Sequence, residues 1–255
     1  MSVHGDVAEG PGWELRCGRW QDVLGDVTCD ALVADPPYSE RVHSGQRTGS
    51  STRKTTIEYQ CWTAEHADEL ALSWCQRVRW WSVIFSDHTL QREHQDAWGL
   101  RDWYTFAPVI WLRQCPTPRM SGDGPTSACD YLTIARPRHR IPAERMGSRP
   151  GYYVSPHSNG PAMIADSPHP GGKLVAPMRA VIRDYTRPGD LVCDPCAGGG
   201  TTLLAAVMEG RRAIGSEMDP ATFDKAVARL RKGYTAPLAF DAQPMKQTTL
   251  DMEAR

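Results

Sequence analysis

Asp194-Pro195-Cys196-Ala197-Gly198-Gly199-Gly200-Thr201-Thr202 is the stretch on which the reading of this 255-residue chain turns. Leu191-Val192-Cys193 just before it is apolar and reads as a short buried strand. Residues 201–209 are helix-forming, and Ala213-Ile214-Gly215-Ser216-Glu217 reads as the next strand. Asp219-Pro220 then opens a second helix, with a capping carboxylate, Pro at the first position, and Phe223, Ala226, Val227 and Leu230 on one face. Gly233 ends it. A strand-helix-strand-helix order over residues 191–232 predicts a parallel sheet with helices on its faces. Such sheets bind ligands at the C-terminal ends of their strands.

The glycine turn suits a nucleotide-like cofactor. Three glycines let the backbone approach a ligand closely, and the helix N-terminus behind them offers free N–H groups. No Lys follows the glycines, so this is not a Walker loop, and G-x-G-x-x-G is absent. Glu217 ends the next strand, 23 positions beyond Asp194, where a carboxylate can accept hydrogen bonds from a ribose diol. The plain alternative is a tight strand-to-helix turn with a surface Glu.

Upstream lies a second signal. Cys29-Asp30-Ala31-Leu32-Val33-Ala34 runs apolar into Asp35-Pro36-Pro37-Tyr38. A buried strand that stops at a double proline delivers a carboxylate, a rigid backbone and an aromatic ring to one place. A planar base can stack on Tyr38 while its exocyclic amine donates to Asp35 and to the Pro36 carbonyl. A strand-ending turn is again the plain alternative.

Together the two stretches resemble the hallmark motifs of the exocyclic-amino DNA methyltransferases. The catalytic motif precedes the cofactor motif, the permuted order of that family's beta class. His169-Pro170-Gly171-Gly172-Lys173, followed by a helix and Arg187-Pro188-Gly189-Asp190, resembles the family's segment upstream of the cofactor loop. The resemblance is strong from about residue 160 to 232 and clear from 13 to 38.

It implies an α/β, Rossmann-like methyltransferase fold with a seven-stranded, mostly parallel sheet and a small irregular target-recognition insertion. It also implies S-adenosylmethionine as cofactor, held by Asp194, Pro195, Cys196, Ala197, Gly198, Gly200, Thr201, Thr202, Glu217 and Lys173. The resemblance further implies that the target base of double-stranded DNA is flipped into the pocket of Asp35, Pro36, Pro37 and Tyr38. Asp-Pro-Pro-Tyr favours adenine N6 over cytosine N4. A cytosine-N4 enzyme, a catalytically silent DNA-binding protein, and an enzyme acting on RNA or on a small molecule are the other readings. Three positions depart from the pattern: Arg19 follows Gly18 where the family often has Asp, Cys196 stands where Phe is usual, and Leu174 stands where Pro is usual.

One permuted domain is expected: a catalytic half over about 13–135, a target-recognition segment over about 136–165, a cofactor half over about 166–235 and a polar tail over 241–255. The first ten residues read as a loose tail. Residues 64–77 read as a helix, and strands are expected at 80–85, 106–112 and 131–135. Two basic segments fall where the family places DNA contacts, one with Arg47, Arg53 and Lys54, the other with Arg136, Arg138, Arg140, Arg145 and Arg149. Solvated surface is the plain reading of both. The short recognition region points to a short target site or to help from a homodimer partner.

Composition bounds the rest. Twenty-nine Lys+Arg against 30 Asp+Glu give a net charge of −1, which excludes a globally basic nucleic-acid binder but not a local basic face. The longest apolar run, Leu203 to Met208, is far short of the roughly 20 residues of a membrane span. With Asp6 and Glu9 near its start the chain is expected to carry no secretory signal and to be cytoplasmic, its eight cysteines reduced. Cys193 and Cys196 form a C-x-x-C that belongs to the cofactor motif, and no histidine spacing points to a metal site.

Overall fold

The computed structural model describes residues 2–40, 61–114, 116, 124–138, 145, 147–156 and 172–233. Its strands are β1 (Val7–Gly10), β2 (Trp13–Cys17), β3 (Cys29–Ala34), β4 (Val78–Ser86), β5 (Trp103–Thr105), β6 (Val109–Arg113), β7 (Cys129–Pro137), β8 (Tyr152–Ser155), β9 (Leu191–Asp194) and β10 (Arg212–Glu217). Its helices are α1 (Trp20–Val23), α2 (Ala64–Trp74), α3 (Leu90–Gly99), α4 (Val175–Tyr185), α5 (Thr201–Met208) and α6 (Pro220–Lys232).

All ten strands join one sheet in the order β1-β2-β10-β9-β3-β4-β7-β6-β8, with β5 pairing β7. The sheet thus exceeds the seven strands expected. The additions are the flanking strands β1, β5 and β8. Without them the order is β2-β10-β9-β3-β4-β7-β6, and β7 alone runs against the others. The expected seven-stranded, mostly parallel sheet lies within the observed one. Residues 191–232 form the β9-α5-β10-α6 unit, with β9 and β10 parallel.

Strand alternation shows why both faces are covered. Ala31 and Val33 of β3, and Val83 and Phe85 of β4, join a core shared with α4, α5 and α6. Their neighbours Leu32, Ala34 and Ile84 join a second core with α1, α2 and α3. A strand buried on both sides must be apolar at consecutive positions, as β3 and β4 are. Among the described residues no helix is long and apolar enough to cross a membrane.

Several local expectations change. The N-terminal tail is not loose, because Val7 to Gly10 pair antiparallel with β2. The expected strand at 106–112 begins only at Val109, as β6, after Pro108, which supplies no ladder N–H, and the short β5 lies ahead of that range. Helix α3 is not legible as an apolar stripe, since the polar His94 shares its buried face with Leu90, Ala97 and Trp98. The recognition segment contains β8, which runs parallel to β6.

Candidate active site

Three neighbouring parallel strands end at the three acidic residues singled out above. Gly215 of β10 pairs with Asp194 at the end of β9, and Leu32 of β3 pairs with Cys193. Asp35 and Glu217 therefore each stand two residues beyond the level of Asp194, on opposite flanks of it. At about 3.3 Å per residue both project past the central strand. A ligand lying across the end of β9 meets Glu217 on one side and Asp35 on the other.

The glycine turn is built to leave room. Gly198 and Gly200 adopt positive φ, +49° and +76°, and Gly200 caps α5. A Cβ placed on Gly198 would meet nothing within 4 Å, so the turn opens onto free space. Arg229 of α6 braces it from behind, donating to the Gly199 carbonyl at 2.8 Å and to Thr201 Oγ1 at 2.9 Å. Asp194 is buried, and its Oδ1 accepts from the Cys196 N–H at 2.9 Å. Burial pushes its carboxyl up to about 7, against the pull of Thr202 and the Cys196 N–H. Glu217 is also buried and raised by that burial, although the N–H groups of Asp219, Gly198 and Met218 pull the other way. Ala197 N–H donates to the Ser216 carbonyl, and Ser216 Oγ to the Pro195 carbonyl, which locks the turn to β10. These residues fit a nucleoside with a cationic tail: an open cradle, a central buried carboxylate, and a second carboxylate at the flank.

Lys173, expected among the cofactor residues, is placed at Asp35 and Tyr38 of the catalytic motif. Its Nζ lies 3.0 Å from both carboxylate oxygens of Asp35 and 2.9 Å from the Tyr38 hydroxyl. Tyr38 in turn donates to Asp35 Oδ1 at 3.2 Å. Asp130, near the start of β7, approaches the same ammonium at 3.5 Å and pairs with Arg113 at 3.1 Å. Burial and Asp130 raise the Asp35 carboxyl, while Lys173 and Tyr38 pull it down. Burial opposes the charge on Lys173, but Asp35 and Asp130 outweigh it, and its amine is raised. Pro36 is buried, and its carbonyl has no hydrogen bond among the described residues, which leaves it open to a donor.

Asp130, Arg113 and Asp87 escape the sequence reading. Asp87 follows β4 and accepts from Ser39 N–H at 2.7 Å and from Thr89 and Leu90 N–H at 2.7 and 2.9 Å, so it ties the catalytic motif to the start of α3. Its burial would raise the carboxyl, but these bonds hold it below its ordinary value. Cys193 and Cys196 are free thiols, the first buried in the core beside Cys29.

The arginines divide by strand direction. β7 is antiparallel to β4, with Ser86 opposite Tyr131 and Ser82 opposite Ala135. Asp130 is thus at the catalytic end, and Arg136 and Arg138 are roughly 20 Å away at the other. Arg136 lies over the Tyr104 and Phe106 rings, and Arg138 faces Asp102 at 3.4 Å. Arg145 makes a bidentate pair with Asp190, which precedes β9, at 2.7 and 2.8 Å. Arg149 stacks over Trp81 and donates to the Asp184 carbonyl at 2.9 Å. All four stand at the end of the sheet opposite Asp35, where they make contacts within the fold. Arg47, Arg53, Lys54 and Arg140 lie outside the described residues.

A family model described as DNA methylase, covering N6 and N4 enzymes, matches residues 29–228. The chain belongs to the N6/N4 DNA methylase family. Among curated relatives, a putative methylase YubD of Escherichia coli (strain K12) is 32% identical over 90 residues, 35% of this chain and 35% of its own length. The type II methyltransferase M.Cfr9I of Citrobacter freundii is 25% identical over 135 residues, 51% of this chain and 45% of its own. The matches thus span about a third and just under half of these two relatives.

Solved methylases share the fold. M1.HpyAVI, in a complex with SAM, superposes with a TM-score of 0.64 at 20% identity, over 86% of this chain and 98% of that one. TTHA0409 of Thermus thermophilus, complexed with S-adenosyl-L-methionine, gives 0.57 at 21% identity, over 87% and 96%. The cytosine-N4-specific PvuII DNA methyltransferase gives 0.58 at 17% identity, over 86% of each chain.

Proposed function

We propose that this chain is a single permuted methyltransferase domain that transfers a methyl group from S-adenosylmethionine to the exocyclic N6 amine of an adenine flipped out of double-stranded DNA. The observation that carries the reading is the flanking of Asp194 by Asp35 and Glu217 on adjacent parallel strands. It provides one place for a cofactor and another, a few ångströms on, for a target amine. The likeness to two methylases solved with this cofactor supports the choice of ligand.

When bound, S-adenosylmethionine supplies an electrophilic methyl group on a sulfonium. The chain does the rest. Glu217 accepts the ribose hydroxyls, and the carboxylate of Asp194 faces the cationic tail. The Asp35 carboxylate and the Pro36 carbonyl accept the two hydrogens of the target amine, which turns its lone pair toward the cofactor. Tyr38 stacks on the base. This is catalysis by positioning and by stabilising the positive charge that develops on the amine. No covalent enzyme intermediate is needed.

Asp-Pro-Pro-Tyr supports adenine. A second reading, cytosine N4, draws on the shared fold of the cytosine-N4-specific PvuII enzyme, since the same two acceptors suit either amine. Contact with the DNA backbone falls to the catalytic end of the sheet. The Tyr38 carbonyl accepts from Trp62 N–H at 3.2 Å, so Tyr38 and Trp62 meet at that end. Arg47, Arg53 and Lys54 lie between those points in sequence and are proposed as phosphate contacts. Nucleoside mass spectrometry of DNA incubated with labelled S-adenosylmethionine tests the reaction and separates the two bases.

A further inference from the structure

A second buried carboxylate stands beside Asp35, and the steps above make no use of it. Asp130 lies near the start of β7, the strand next to β4, and its side chain is 8% exposed. One of its oxygens is 3.1 Å from Arg113 Nη1 and the other 3.5 Å from Lys173 Nζ. The same Nζ is 3.0 Å from each oxygen of Asp35. One ammonium therefore sits between two carboxylates, bonded to Asp35 and roughly half an ångström short of bonding Asp130.

Lys173 bonds both Asp35 oxygens and Tyr38 bonds Oδ1 as well, so a target amine that takes the Asp35 carboxylate competes with the ammonium for it. Lys173 is itself 9% exposed, so it cannot retreat into solvent, and a buried ammonium pulled from its bonded carboxylate needs another to compensate it. A small shift closes the gap to Asp130 and keeps the charge paired. Arg113, whose Nη2 donates to the Ser127 carbonyl at 3.0 Å, holds Asp130 in place.

We propose that Asp130 is a positioning residue for methyl transfer, receiving the Lys173 ammonium when the target amine takes its place on Asp35. The inference rests on Asp35 being the acceptor for that amine. Asp130 touches neither base nor cofactor; it acts through Lys173.

The test is a double-mutant cycle on DNA methylation with wild type, Asp130→Asn, Lys173→Met and the double variant, with cofactor affinity and Tm measured for each. Asp130→Asn is expected to lower kcat by about 10-fold, the scale of coupling between contacting charged groups, and to leave cofactor affinity within about twofold. With Lys173→Met there is no ammonium to relocate, so adding Asp130→Asn is expected to change kcat by less than about threefold. Asp130→Glu, which keeps the charge, is expected to recover most of the loss. If Asp130→Asn does not fold, Arg113→Gln takes its place in the cycle and is expected to lower kcat only when Lys173 is present. Wild-type kcat in the single variant, or an equal loss with and without Lys173, overturns the proposal while the methyltransferase reading stands. A wild-type chain that transfers no methyl group to DNA overturns both.

Discussion

Lys173 reaches across 138 positions of sequence to set its ammonium 3.0 Å from both oxygens of Asp35. The contact joins the loop after β3 to the start of α4. Replacing Asp35 with Ala is expected to abolish methyl transfer, a loss on the order of 10²–10³-fold or more, the scale of a lost charge-stabilising group. Cofactor binding is expected to survive, because Glu217 and the glycine turn are untouched. Turnover within a few-fold of wild type would remove Asp35 from the catalytic role.

Glu217→Ala tests the other flank. A ribose diol loses a charged acceptor, worth about 1.5–3 kcal/mol, so the dissociation constant of S-adenosylmethionine should rise roughly 10- to 100-fold. Calorimetry that finds unchanged affinity assigns Glu217 to the structural bracing of Gly198 and Asp219 instead.

Asp194 predicts a pH dependence. Its folded-state pKa of about 7 lies above the usual carboxylate value, so near neutral pH it holds part of a proton. A cationic ligand favours the ionised form and expels that proton. Cofactor affinity should therefore rise as pH increases from about 6 to 8, with proton release visible as a dependence of the binding enthalpy on buffer ionisation. Affinity that falls over this range would contradict the placement of a cationic group at Asp194.

His94 predicts another. It is fully buried, neither ring nitrogen has a hydrogen-bond partner among the described residues, and burial lowers its pKa to about 4. The unfolded chain takes up a proton near pH 6.5 and the folded chain does not. Stability is thus unaffected by His94 above about pH 6.5 and is lost as pH falls toward about 4, by about 3 kcal/mol in all. His94→Leu should remove this contribution, so the Tm advantage of the variant should widen as pH falls through that window. A constant difference would place water or a partner on the ring.

For DNA, the strand directions give opposite expectations for two sets of basic residues. Arg138→Ala, at the far end of β7, should leave the salt dependence of DNA affinity unchanged. Replacing Arg47, Arg53 and Lys54 together should flatten the log–log slope by about two to three units, near 0.9 per lost phosphate contact. The reverse pattern would put DNA on the other end of the sheet.

The parts of this account legible in the sequence are those written in consecutive residues. The β9-α5-β10-α6 unit announces itself by a buried strand, glycines, a capped helix and the Asp219-Pro220 start, each a local signal. Asp35, Asp194 and Glu217 follow because each sits at or just past the end of an apolar strand. Arg113 and Asp130 carry no such mark. They come together at the Lys173 site only because β7 runs antiparallel between β4 and β6, and strand direction is a property of the whole sheet. The same cause hides the placement of Arg136, Arg138, Arg145 and Arg149: basic, aperiodic sequence looks alike whether it faces a polyanion or pairs with Asp190 and Trp81. Lys173 reads as a cofactor residue because the chain runs from it to the glycine turn, yet its amine faces Asp35.

The most direct measurement is incubation of the chain with methyl-labelled S-adenosylmethionine and mixed-sequence duplex DNA, followed by digestion to nucleosides and mass spectrometry, with Asp35→Ala in parallel. Label is expected in N6-methyladenine with the wild-type chain and none with the variant. Label in N4-methylcytosine would move the target to the other exocyclic amine. DNA without label, label on a ring carbon, or equal labelling by Asp35→Ala would contradict methyl transfer to an amine held by Asp35.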